Sequence, residues 1–191
     1  NQASLRYFFS LLPIIFAFIV PAVTMRLFSE EINIGSYEIL MTYPVTFTEV
    51  IIGKFLAAVV FVAVMLLPTL SYGISVSFLG KMDWGPVLGG YIGALFLGAL
   101  FSAVGLFASS LTRNQIIAFI IGTIICFTLT LIDKMLFFLP ESILGFMEFL
   151  GADFHFRNIS RGIIDSRDLI YFISMTFIAL YGTYLVMKEK K

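Results

Sequence analysis

The sequence predicts an all-α integral membrane protein, a polytopic helical bundle. Three observations carry this. Hydrophobic residues make up 60% of the 191 and charged residues only 13%, where a soluble domain carries about 25% charge. Mean hydropathy is +1.01. Apolar runs long enough for a helix to cross a bilayer recur along the chain, separated by short polar segments. The 12 basic residues balance the 12 acidic ones, so nothing points to nucleic acid. Cys126, the single cysteine, lies in an apolar run and reads as inert packing. The apolar run near the start has no basic stretch before it and no small-residue cleavage site, so it is not a signal peptide. The chain reads as the later part of a longer protein.

The first visible span is expected over residues 5–25, with Pro13 and Pro21 inside it and Arg26 as a snorkelling charge at its end. Residues 26–49 are the one long interruption of the apolar pattern in the first two thirds of the chain. They hold Glu30, Glu31, Glu38 and Glu49, a third of the acidic residues. Leu27, Phe28, Glu30 and Glu31 extend the helix out of the bilayer, and Gly35 breaks it. Ser36 is suited to cap a short helix running to Thr42, with Glu38 in its first turn, where the helix dipole favours an anion. Ile39, Leu40 and Tyr43 form an apolar face on it. Pro44 stops it, because the residue before a proline is driven from the α region. Thr46 and Glu49 then have the spacing of a capping box for the next helix. A polar helical segment between two spans lies at a membrane face, where a soluble partner can reach it.

The second span is expected over residues 50–78, kinked at Pro68, and followed by a tight turn over 80–86. Trp84 suits the interfacial belt, and Pro86 suits the first turn of the next helix. The third span, 87–111, carries Gly90, Ala94, Gly98 and Ser102 at four-residue spacing, with Gly89 and Gly93 alongside. Such a stripe lets another helix approach closely; it serves either packing within the bundle or a surface that slides or dimerises. Residues 112–114 make a short turn, so the third span and the fourth (115–132) form an antiparallel hairpin. Residues 140–150 are too short to cross and read as a re-entrant or interfacial amphipathic piece. Residues 151–168 are a second polar patch, and the last span covers 169–187.

Five visible spans place the two ends on opposite faces. Orientation cannot be read from charge. With residues 26–49 on one face, Arg26, Lys54, Arg113, Lys188, Lys190 and Lys191 stand against Arg6, Lys81, Lys134, Arg157, Arg161 and Arg167, an even split under the positive-inside rule. The central parts of the spans hold no ionisable side chain, which argues against a self-powered secondary transporter. No phosphate loop and no metal motif is present. A membrane enzyme would require Asp153, His155, Arg157, Arg161 and Asp165 to converge. The chain therefore reads as the body of a transport protein with its motor elsewhere.

Met25, Arg26, Leu27, Phe28, Glu30 and Glu31, then Gly35, Ser36, Glu38, Leu40, Thr42 and Pro44, then Gly53, Lys54 and Phe55, together resemble the permease subunits of ABC-2 type transporters. The branch of the gliding-motility-associated and nitrous-oxide-reductase-maturation permeases is the most similar. Phe156, Asn158, Arg161, Gly162, Ile163, Ile164, Asp165, Ser166, Arg167, Asp168 and Leu169 are similar to that branch just before its last span. The resemblance implies six spans, of which the first is missing here, and two permease subunits per complex. It also implies separate cytoplasmic ATPases that hold ATP and Mg, so that this chain has no cofactor or metal of its own and is not itself an enzyme. It implies a bacterial cytoplasmic membrane and an exporter-type function, with residues 26–49 facing the cytosol. The helix near 36–42 would be the coupling helix, with Glu30, Glu31 and Glu38 meeting donor groups of the ATPase and Ile39, Leu40 and Tyr43 giving apolar contact. Motion would then rock the first visible span with the second. Asn158, Arg161, Gly162 and Asp165 would lie on the extracytoplasmic side. The alternative is a membrane scaffold of a secretion, gliding or assembly machine that transports nothing. The sequence does not name the substrate, nor choose between homodimer and heterodimer.

Overall fold

The computed structural model describes residues 5–40, 42–78, 83–132, 134, 150–163 and 165–190. The described elements are all helices: α1 (Arg6–Thr24), α2 (Arg26–Ile34), α3 (Ser36–Leu40), α4 (Phe47–Ser77), α5 (Trp84–Leu111), α6 (Gln115–Leu131), α7 (Ala152–Ser160) and α8 (Ser166–Glu189). The expected re-entrant piece at 140–150, and most of the turn before Trp84, fall outside the described residues.

α5 is the centre of the bundle. It packs against α1, α2, α4, α6, α7 and α8, and its buried residues run round the whole helix from Val87 to Ser110. A helix apolar on every side is buried on every side. The long helices around it bury one stripe and leave the rest exposed. On α1 the buried set is Phe9, Leu12, Pro13, Phe16, Ala17, Val20, Pro21 and Thr24, steps of three and four that fall on a single helix face. Both prolines lie on that face, shielded by neighbours. On α6 the buried stripe is Ala118, Gly122, Cys126 and Thr130. Phe16, Leu97, Phe101, Phe156 and Phe172 belong to the main core.

The small residues of α5 set how closely its neighbours come. A Cβ on Gly90 would overlap the Phe9 ring, and one on Gly98 would lie 2.5 Å from Val62 Cγ1. Ala94 and Ser102 are wholly buried. This stripe is covered inside the chain by α1 and α4. Gly89 and Gly93 form the other stripe, against the Ile159 carbonyl and the Phe156 ring of α7.

Among the described residues, four helical stretches are long and apolar enough to cross a membrane: Arg6–Ile34, Phe47–Ser77, Trp84–Leu111 and Ser166–Glu189. The expected fourth span, α6, has 17 residues. At 1.5 Å per residue it is about 25 Å long, short of the ~30 Å hydrocarbon core. Five passes along the bundle remain, one of them short. Arg26 does not end the first helix as expected. It opens α2, which follows α1 after a break of one residue at Met25.

Candidate coupling site

α2 and α3 sit at one end of α5 and α7 at the other. Ser109 touches α2 and Gly89 touches α7; the twenty residues between them cover about 30 Å of helix. Each end holds one polar cluster.

At the first end the chain turns three times within a few residues, each time for a local reason. Gly35 closes α2 in the left-handed region, at φ 77°, a conformation glycine adopts without strain. Ser36–Leu40 follows, ending two residues earlier than expected. The Thr42 hydroxyl donates to the Ile39 carbonyl at 2.7 Å, and Val45 N donates to the Tyr43 carbonyl at 2.7 Å around Pro44. Thr46 and Glu49 form the capping box. Thr46 N donates to Glu49 Oε2 at 2.8 Å, and Glu49 N donates to Thr46 Oγ1 at 3.3 Å. Glu38, Ile39, Thr42, Tyr43 and Pro44 are exposed, Leu40, Gly35 and Ser36 half-buried. Ile39 and Tyr43 are 65% and 62% exposed. An exposed apolar pair on a capped polar turn is a surface suited to a partner.

The inner side of the turn is tightly held. Lys54 of α4 lies 2.5 Å from Glu31 Oε1, donates to the Leu27 carbonyl at 2.7 Å and stands 5.1 Å over the Phe28 ring. Phe28, Tyr37, Ile51, Leu106 and Met187 form a second core there, drawing α2, α3, α4, α5 and α8 together. Tyr37 lies edge-on to Phe28 at 6.2 Å. Burial, and then the charge of Glu31, hold its phenol above the usual tyrosine range. Glu31 therefore turns inward to Lys54 instead of outward to a partner, while Glu30 is half-buried and Glu38 exposed. Nothing local in the sequence marks the Glu31–Lys54 pair, whose members lie 23 residues apart.

α1 and α2 meet at a joint. The Ser109 hydroxyl of α5 donates to the Met25 carbonyl at 2.7 Å. It accepts from Phe28 N and Ser29 N, each at 3.0 Å. The Ser29 hydroxyl also donates to the Met25 carbonyl. The first N–H groups of a helix have no partner within it, and Met25, at the N-cap, has no side-chain acceptor to offer. A serine 80 residues away supplies the cap.

At the opposite end His155 Nδ1 lies 2.6 Å from Asp168 Oδ1, both buried. The imidazole stacks on Tyr171 at 4.1 Å, and the Tyr171 hydroxyl donates to the Leu150 carbonyl at 2.7 Å. Asn158 Nδ2 is 3.5 Å from Asp168 Oδ1. Gly162 ends α7 at φ 84°, packed on the Gly85–Pro86 backbone, and Asp165 caps α8 by accepting from Arg167 N at 3.0 Å. Arg161 and Asp165 are exposed, while Asp153 faces Lys134 and Arg157. Of the five residues an enzyme would need at one centre, Asp153 and Arg157 pair with each other, His155 pairs with Asp168, and Arg161 and Asp165 are exposed. His155 and Asp168 form the buried pair that the motif did not single out. Among the described residues no group of three His, Cys, Asp or Glu is placed to hold a metal.

These features define a polytopic all-α membrane protein whose longest polar excursion is a capped helical turn at one end. The family described as ABC-2 family transporter protein matches residues 2–186, and the chain belongs to that family, a membrane transport component of ABC transporters. No curated protein matches the sequence.

Proposed function

We propose that this chain is the permease subunit of an ATP-driven, exporter-type complex, worked through α2 and α3 by separate cytoplasmic ABC ATPases. The observation that carries the reading is the exposed face of the turn, where Glu38 and Ile39 on α3 and Tyr43 just after it stand out between Gly35 on one side and the capping box on the other. Four passes, α4, α5, α6 and α8, separate α2–α3 from the last residues of α8, so the two lie at the same end; in this reading that end faces the cytosol and α7 faces outward. The ATPases hold ATP and Mg, and a second permease subunit completes the pathway in a bacterial cytoplasmic membrane. Its motifs resemble those of the gliding-motility and nitrous-oxide-reductase-maturation branch. Glu38 gives the charge contact, and Ile39, Leu40 and Tyr43 the apolar one. Glu31 holds the turn in place from behind.

The test is co-purification of the tagged chain with an ABC ATPase from membranes of its own cells. Glu38→Lys, or deletion of 36–43, is expected to abolish it while membrane insertion persists. Undiminished co-purification of both variants would defeat the reading.

A further inference from the structure

The joint between α1 and α2 shows where force on the turn would enter the bundle. α2 is tied at two points. Lys54 of α4 holds Glu31 in its second half and reaches back to the Leu27 carbonyl in its first turn. At its start, the Ser109 hydroxyl of α5 takes two backbone N–H groups of α2 and returns one hydrogen to Met25. The next residue of α5 gathers the last helix as well, since Lys190 donates to the Ser110 carbonyl at 2.6 Å, a cation at a helix C-terminus where the dipole favours one. Close approach at this level depends on Gly105, where any Cβ would overlap the Thr24 hydroxyl.

We propose that the Ser109 hydroxyl is a positioning pivot that makes α2 and the inner end of α5 one rigid body. Motion of the coupling turn is then delivered to the buried central helix, and not mainly to α1 or α4. A hydroxyl suits the task because it donates and accepts at once. It accepts from two N–H groups at the start of α2, which that helix does not satisfy alone, and donates at the same time to the Met25 carbonyl between the two helices. The inference rests on α2–α3 being the coupling segment, but its test needs no ATPase. A failure of docking and a failure of the pivot are therefore separately visible.

The experiment uses the full chain in lipid nanodiscs, spin-labelled at Asn33→Cys on α2 and Arg113→Cys just past α5, both exposed positions. Cys126 is buried and does not compete for label. With Ser109 present the distance distribution is expected to be single and narrow. Ser109→Ala is expected to broaden it, and Ser109→Thr, which keeps the hydroxyl, to restore it. Amide exchange at Phe28 and Ser29 is expected to rise at least tenfold in Ser109→Ala, with exchange at Leu97 and Leu100 unchanged. An unchanged distance distribution in Ser109→Ala would overturn the proposal. So would exchange rising equally at Leu97 and Leu100, which would make Ser109 a folding residue and no pivot.

Discussion

Replacing Lys54 with Met removes a cation and keeps most of the aliphatic stem. The Lys54 and Glu31 side chains are 16% and 32% exposed. An exposed pair contributes about 0–1 kcal/mol, whereas removing one partner of a buried pair costs about 3–5 kcal/mol. This pair lies between those limits. The loss also removes a charged donor from the Leu27 carbonyl, and Glu31 Oε2 is already buried without a hydrogen bond. The expected cost is about 2 kcal/mol, placed on the docking of α2 and not on the bundle. That is about a 30-fold rise in local opening. Hydrogen exchange in nanodiscs reads it directly, as faster exchange across 28–34 with α5 unchanged. Removing both charges, in Lys54→Met with Glu31→Leu, should recover most of the loss, because no uncompensated charge then stays behind. Wild-type exchange in the single variant, or a double variant worse than the single, would refute the reasoning.

The glycines of α4 and α5 should respond in opposite directions. Gly89→Ala sets a Cβ against the Ile159 backbone carbonyl and should cost about 1–3 kcal/mol, while Gly53→Ala meets nothing within 4 Å and should gain up to about 1 kcal/mol from helix propensity; thermal unfolding in detergent orders the two. His155→Phe leaves the Asp168 carboxylate buried without its imidazole and should destabilise the chain by about 3 kcal/mol. Adding Asp168→Leu should return much of that, measured by the same unfolding assay.

What could be read in the sequence was whatever depends on neighbours along the chain. Gly35, Pro44 and the Thr46–Glu49 box sit where local rules of helix ending and capping put them, so the turn is legible residue by residue. The face of α1 follows from its three- and four-residue spacing. Contacts between distant residues leave no such mark. Ser102, Ser109 and Ser110 look alike along α5, yet one lacks a partner, one caps α2 and one holds Lys190 through its carbonyl. The four-residue stripe promised close packing but did not say against what; its partners are α1 and α4 of the same chain. The burial of His155 on Tyr171 depends on α7 folding back over α5. α6 reads as a span from its apolar run over 115–132, one residue longer than the helix Gln115–Leu131.

The central claim is that the α2–α3 turn faces the cytosol and meets a soluble ATPase there. Position 39 tests it most directly, being 65% exposed at the outer side of the turn. Ile39→Cys should react with a membrane-impermeant maleimide in inverted vesicles and stay unlabelled in sealed right-side-out cells, and added ABC ATPase should protect it. Labelling from the outside, or no labelling in either preparation, would contradict the account.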